Sequence, residues 1–188
     1  MVFIHIKIKY KGEFMDKRLY LVAELDNNFQ NKFNELYQII LENGIIGVQT
    51  NDIPYHITLC SFQIDDENIV LNLMDKIKEQ FNKINIAFSG FGLFGLNVLY
   101  LNPCFNKYLM ELYNFANRKS LDKNNEFSAH ATLLIDSPEN ILKILPKINE
   151  KFNEFNKGKY NAFTGQIENI GVYEFSPLKF IKKIELNN

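Results

Sequence analysis

The feature that constrains this chain most is that much of it is written twice. A segment from His56, HITLCSFQIDDENIVLNLMDKIKEQFNKINIAFSG, and one from His130, HATLLIDSPENILKILPKINEKFNEFNKGKYNAFTG, keep the same order of residues with small gaps. Both open on H-x-T-L. Glu67-Asn68-Ile69 then matches Glu139-Asn140-Ile141, Lys76-Ile77 matches Lys147-Ile148, and Phe81 matches Phe152. Ala87-Phe88 matches Ala162-Phe163, each ahead of a glycine, Gly90 or Gly165. Upstream, Leu19-Tyr20-Leu21 echoes Leu99-Tyr100-Leu101, and Glu35-Leu36-Tyr37 echoes Glu111-Leu112-Tyr113. Self-similarity over this distance points to an ancestral duplication and to two similar structural units.

Hydrophobic periodicity gives each unit the same order. RLYLVAEL (18–25) reads as a strand, and Asp26 is placed to cap a helix whose one face holds Phe29, Phe33, Leu36, Tyr37, Ile40 and Leu41, ended near Gly44. The His56 strand follows over about 55–62. A helix capped by Asp65-Asp66 comes next, with Ile69, Val70, Leu73, Ile77 and Phe81 as its stripe, and a strand near 84–89 closes the half. The second half has a strand at 97–101, a helix from Asn102-Pro103, the His130 strand and a helix opened by Ser137-Pro138. Pro146 falls inside that last pattern and predicts a kink or split. QIENIGVYEF and LKFIKKIEL add two strand-like stretches.

Each half therefore reads β-α-β-α-β. Helix stripes of this kind must bury against a sheet, so the fold class is α+β, a duplicated bilobal arrangement of two mainly antiparallel sheets with helices outside. The repeats place the lobes at about 18–95 and 97–175. Between them Gly90, Gly92 and Gly95 are interleaved with Phe91, Leu93, Phe94 and Leu96, which suits a packed turn better than a linker; one domain over 1–188 is expected. Residues 1–14 form an N-terminal extension: either Met15 is the true start, or Ile4, Ile6, Ile8 and Tyr10 add an edge strand, with His5 facing solvent.

The totals exclude several classes. Formal net charge is −1 and the sequence pI about 6.3, which gives no field for holding a long nucleic acid. The arginines are Arg18 and Arg118, too few for a set of bidentate phosphate clamps. Two cysteines, Cys60 and Cys104, make neither a disulfide framework nor a cysteine-rich zinc site. No apolar run approaches the roughly 20 residues of a membrane span, and the alternating N-terminus lacks the apolar block of a signal peptide. A cytoplasmic monomer without metal or other cofactor is the expectation.

The chemistry lies in the doubled H-x-T. Strand side chains alternate faces, so His56, Thr58 and Cys60 are expected on one face of their strand and His130 with Thr132 on one face of theirs. A two-fold relation between repeats would set these faces across one cleft. A phosphodiester there meets an imidazole from each side, one to take a proton and one to give it, because histidine titrates near working pH. The threonine hydroxyls can donate to non-bridging oxygens. A lone H-x-T on a strand is weak, but two copies at equivalent positions use two of the three histidines in the chain.

On PYHITLCSF (54–62), SAHATLLID (128–136) and the opening strand RLYLVAEL, the chain resembles the 2H phosphoesterase superfamily, which includes 2′-5′ RNA ligase-like proteins and 2′,3′-cyclic phosphodiesterases. The resemblance covers about 18–186. It implies a bilobal fold with a central cleft and metal-independent phosphodiester chemistry, with His56, Thr58, His130 and Thr132 as catalytic positions. RNA ligase-like members often place a basic residue just after the second motif, whereas this chain reads Leu134-Ile135-Asp136. That departure and the scarcity of arginine favour a small nucleotide or short RNA end, carrying a 2′,3′-cyclic phosphate or a 2′-5′ bond, over a long RNA. The alternatives are a non-catalytic nucleotide-binding module, a divalent-metal hydrolase and 2′-5′ ligase activity. Phe62 and Tyr173 are the expected substrate-binding aromatics, with Phe91 and Phe94 as further candidates for stacking a base.

Overall fold

A computed structural model describes residues 17–48, 53–157, 163–175 and 177–188. The extension at 1–14, His5 and the start at Met15 lie outside the described residues. The elements run β1 (Arg18–Leu25), α1 (Asn27–Glu42), β2 (His56–Gln63), a 3₁₀ turn (Ile64–Asp66), α2 (Glu67–Gln80), β3 (Ile84–Phe94), β4 (Val98–Pro103), α3 (Lys107–Asn117), β5 (Ala131–Ile135), α4 (Pro138–Phe155), β6 (Phe163–Phe175) and β7 (Leu178–Glu185). The β-α-β-α-β order recurs as the sequence predicts.

All strand pairs are antiparallel, and the order is β2-β1-β6-β3-β4-β5, with β7 on the far side of β6. The order is palindromic under the duplication. Each repeat's last strand pairs with the first strand of the other repeat, β3 with β4 and β6 with β1. β3 and β6 also pair with each other, Ile84–Phe88 against Ile167–Phe163, so the two expected sheets join into one seven-stranded sheet. A closing strand therefore does not complete its own half. The sheet curls until its edge strands β2 and β5 approach without joining the ladder.

Exposed strand edges invite pairing with other chains, and the β2 and β5 edges are each bonded to a loop of the opposite repeat. Leu121 donates its amide to the Ser61 carbonyl at 2.9 Å, and Asp122 accepts from both the amide and the hydroxyl of Ser61 at 2.7 Å. Val48 donates to the Ile135 carbonyl at 2.9 Å.

Alternation along β1 divides the sheet. Leu19, Leu21, Ala23 and Leu25 enter the main core, which also takes Phe29, Phe33, Leu36 and Ile40 of α1, Leu109 and Leu112 of α3, and Ile141, Ile144, Ile148 and Phe152 of α4. Burying each such side chain is worth roughly 1.5–3 kcal/mol. Val22 points to the other face, into a small separate cluster with Ile53 and Tyr173, flanked by Tyr20, Phe175 and Leu178.

Local expectations fare unevenly. Asp26 caps α1 by accepting from the Phe29 amide at 2.7 Å, and Ser137 caps α4. Leu41, the outermost member of the α1 stripe, is 37% exposed. Asp65 and Asp66 do not cap α2 through their side chains; they sit in the 3₁₀ turn that leads into it. The buried face of α2 is Val70, Met74 and Ile77, with Ile69 turned outward. Asn102 and Pro103 end β4, and α3 starts later because Asn106 caps it, accepting from the amides of Tyr108 and Leu109. α4 continues through Pro146, which lies on its solvent side. The glycine-rich stretch extends β3 to Phe94, and the turn is Gly95-Leu96-Asn97, with Gly95 at φ +57°.

The ladder also corrects the alignment of the repeats. Between β1 and β2, Leu21 faces Cys60 and Val22 faces Thr58, leaving Leu59 as an extra residue. Between β4 and β5, Leu99 faces Leu134 and Tyr100 faces Thr132, leaving Leu133. The same bulge thus falls on the leucine of both H-x-T-L motifs. Superposing the bulges matches Leu99-Tyr100-Leu101 to Leu21-Val22-Ala23, two residues on from the sequence echo. α4 has 18 residues against 14 in α2, about one extra turn, and this displaces the downstream match as well. Phe88 and Phe163 are cross-strand partners of each other, not equivalent positions.

Candidate active site

Both histidines are held in one way. Nδ1 of His56 lies 2.8 Å from the Pro54 carbonyl, and Nδ1 of His130 lies 2.7 Å from the Ser128 carbonyl, in each case two residues back. A carbonyl can only accept, so Nδ1 carries the hydrogen and donates it. Nε2 is then the nitrogen left with a free lone pair when the ring is neutral. The two rings are tied through the same atom to the same relative carbonyl and are both partly buried.

Thr58 and Thr132 follow their histidines by two residues and are likewise partly buried, while Ile57, Leu59, Ala131 and Leu133 are buried in the core. The bulge then breaks the alternation. A bulge sets two successive residues against one partner, so Leu59 and Cys60 both reach the core, as do Leu133 and Leu134. Cys60 is 2% exposed and does not share the face of His56 and Thr58. Burial pushes its thiol well above the usual range, which leaves it unreactive.

The expected substrate-binding aromatics are placed differently from what simple alternation predicts. Phe62 is 1% exposed in the main core, because the bulge shifts the pattern beyond Thr58. Phe91 packs against Phe152, also on the core side. Tyr173 is on the histidine side but buried, and its hydroxyl donates to Oε1 of Glu24 at 2.5 Å. Burial and that carboxylate both hold the phenol above its ordinary range, so it stays a donor. Phe94 lies beside His130, ring centroids 4.7 Å apart and edge-on, and stacks on Tyr100 at 4.3 Å. Phe175 is 6.1 Å from His56 and stacks on Tyr20 at 4.4 Å.

Two glycines make room for these rings. A Cβ on Gly92 would meet the Tyr100 ring at 2.4 Å; one on Gly171 would meet both Oε1 of Glu24 and Cε2 of Tyr173 at 2.6 Å. Glycine within a strand often marks such a close approach.

Glu24 is the residue that sequence reading missed. It reads as one polar position in an opening strand, yet it is 2% exposed and stands directly across the β1–β2 pair from His56. Oε2 of Glu24 lies 3.2 Å from Nζ of Lys183 on β7. Its equivalent in the second repeat is Asn102, which is exposed. No local sequence signal marks it, because its partners Tyr173 and Lys183 lie far along the chain.

Desolvation is the main influence on both imidazoles and holds each below the usual histidine range. For His56 the Pro54 carbonyl and the Glu24 charge act the other way, while the neighbouring His130 lowers it further. For His130 the opposing influence is the Ser128 carbonyl alone. Among the described residues no group of three or more His, Cys, Asp and Glu side chains could hold a metal ion, and no helix is long and apolar enough to cross a membrane.

No family model matches the chain, and no curated protein matches it in sequence. Solved structures do. The chain is similar to Escherichia coli LigT complexed with 3′-AMP, at TM-score 0.62 and 14% identity, over 93% of this chain and 100% of that one. It is similar to TT0787 of Thermus thermophilus, at TM-score 0.64 and 12% identity, over 91% and 98%. It also resembles Kluyveromyces marxianus Usb1 with uridine monophosphate, at TM-score 0.53 and 8% identity, over 91% and 98%. The chain has the LigT-like α+β fold.

Proposed function

We propose that this protein is a phosphodiesterase of the 2H type, cleaving a 2′,3′-cyclic phosphate or a 2′-5′ phosphodiester of a small nucleotide or short RNA end without a metal ion. The observation that carries this reading is the matched pair of imidazoles, each with Nδ1 tied to the carbonyl two residues back and Nε2 left for proton transfer. The neighbours support the substrate class: solved LigT structures hold 3′-AMP, phosphate, NADP+ or ATP, and the Usb1 structure holds uridine monophosphate.

For a cyclic phosphate the balanced step uses one water. The water oxygen forms a bond to phosphorus and gives a proton to Nε2 of one histidine. The P–O bond to one ribose oxygen breaks, and that oxygen takes a proton from Nε2 of the other. Thr58 and Thr132 donate to the non-bridging oxygens as charge builds on them. The histidines end with their protons exchanged and reset through solvent. Each transfer is worth about 10²–10⁴ in rate.

The cleft face is unequal on its two sides. β7 adds to the His56 half alone, and its Phe180, 55% exposed, packs its ring 5.6 Å from Tyr173, whose hydroxyl is bonded to Glu24. Phe180 replaces Phe62 and Tyr173 as the aromatic offered to a base. The test is a panel of 2′,3′-cyclic nucleotides, 2′-5′ dinucleotides and their 3′-5′ isomers, incubated with EDTA and analysed for products. Turnover of the first two classes without metal is expected. No turnover of either, or turnover abolished by EDTA, overturns the reading.

A further inference from the structure

The pseudo-two-fold repeat makes the histidines alike in backbone setting and unlike in their surroundings. Beside His130 stand two rings, Phe94 edge-on at 4.7 Å and Tyr100 at 5.5 Å. Across the strand pair from His56 stands the carboxylate of Glu24, whose two oxygens are fixed by the Tyr173 hydroxyl and the Lys183 ammonium. A buried carboxylate is costly to keep in a protein unless its partners hold it. Here its neighbours are built to accommodate it: Gly171 offers no Cβ where one would collide with Oε1, and Tyr173 lies across that gap to reach the same atom.

We propose that Glu24 is a positioning residue that stabilises the imidazolium of His56 across the strand pair, making His56 the proton donor and His130 the proton acceptor of the reaction. This rests on the phosphodiesterase reading for its catalytic half and goes beyond it by dividing the two roles. Two imidazoles facing one phosphate share a proton, and the pair as a whole decides where it resides. Among the described residues, the charged and titratable groups that face His56 are Glu24 from β1 and His130 across the cleft, with Tyr173 of β6 and Lys183 of β7 acting through Glu24. Phe175, the remaining ring against it, carries no charge. Glu24 is the anion of the set, and among the described residues nothing equivalent stands beside His130, where the matching position is Asn102. The direction of its influence on His56 agrees with this geometry.

The experiment needs no substrate for its first half. Imidazole ¹H–¹⁵N spectra are recorded against pH for the full chain, with signals assigned through His56→Asn and His130→Asn. In the unaltered protein His56 is expected to titrate above His130. Glu24→Gln should lower the His56 midpoint by about one unit, as loss of a near opposite charge does, and leave His130 in place. Lys183→Met removes the cation that partly neutralises Glu24 and should move His56 the other way, upward by a few tenths of a unit, on the order expected for a half-exposed charge. Lys183 is 43% exposed, so this variant keeps the test open where Glu24→Gln fails to fold. A His56 midpoint unmoved by both changes, or His130 titrating higher, overturns the proposal.

The second half is the pH profile of kcat/KM. Because an acid must be protonated to act, Glu24→Gln should bring the alkaline limb to lower pH. A shift of the acid limb instead would make His56 the base and reverse the assignment. If the protein turns over none of the panel while the midpoints shift as expected, the phosphodiesterase reading fails and the role of Glu24 toward His56 stands.

Discussion

Gly171→Ala is a small change with a large expected cost. The added methyl would sit 2.6 Å from Oε1 of Glu24 and 2.6 Å from Cε2 of Tyr173, closer than such contacts are tolerated. Neither neighbour can swing away freely: Glu24 is 2% and Tyr173 5% exposed, they are bonded to each other, and Lys183 holds the second carboxylate oxygen. Overpacking of this kind costs about 1–3 kcal/mol. At about 2–4 °C per kcal/mol for a chain of this size, the melting temperature should fall by several degrees. Gly44→Ala is the comparison: φ there is +75°, so alanine is strained by about 1–2 kcal/mol, but nothing lies within 4 Å of the new methyl. Thermal and urea unfolding of both variants, paired with their turnover, separates the two causes. Gly44→Ala should lose stability and keep full kcat, whereas Gly171→Ala should lose both, because the group beside His56 is displaced. A Gly171→Ala protein as stable and active as the original would refute the packing of Glu24 against Tyr173.

Other expectations follow from the same contacts. Thr58→Val and Thr132→Val should each lower kcat by about 10²-fold while leaving unfolding nearly unchanged, as loss of one transition-state donor does. Asp122→Ala should cost roughly 1–3 kcal/mol in urea unfolding, since it strips both the amide and the hydroxyl of buried Ser61 of their acceptor. Stability should also depend on pH through the histidines. Both are held below their unfolded value, so the unfolded chain binds more protons between the two; stability is full above about pH 6.5 and is lost as pH falls through that window. His56→Asn with His130→Asn should therefore gain stability relative to the original protein at about pH 5 and much less at about pH 8.

What the sequence revealed depended on local, periodic signals. The doubled order of elements, the Asp26 and Ser137 caps and the paired motifs all rest on residues close together in the chain. The exchange of closing strands does not: β3 paired with β4 and β6 with β1 are long-range choices that leave no mark on either segment. The bulges matter most for the site. A simple alternation places Cys60 and Phe62 with His56, and a single extra residue at Leu59 sends both to the core. The repeat echo of Tyr20 with Tyr100 misled by two residues for the same reason, since it could not register where the ladders slip. Glu24 was hidden because a carboxylate in a strand reads as solvent-facing until its partners, far away at Tyr173 and Lys183, are known.

The most direct test is turnover of a 2′,3′-cyclic nucleotide by His56→Ala, His130→Ala and the double variant, in EDTA and with folding checked by circular dichroism. Residues that act as one unit are strongly non-additive. Each single change should cost at least about 10²-fold, with the double variant little worse than either. Either single variant retaining turnover within about tenfold of the original, far short of a lost proton transfer, would contradict the two-histidine mechanism.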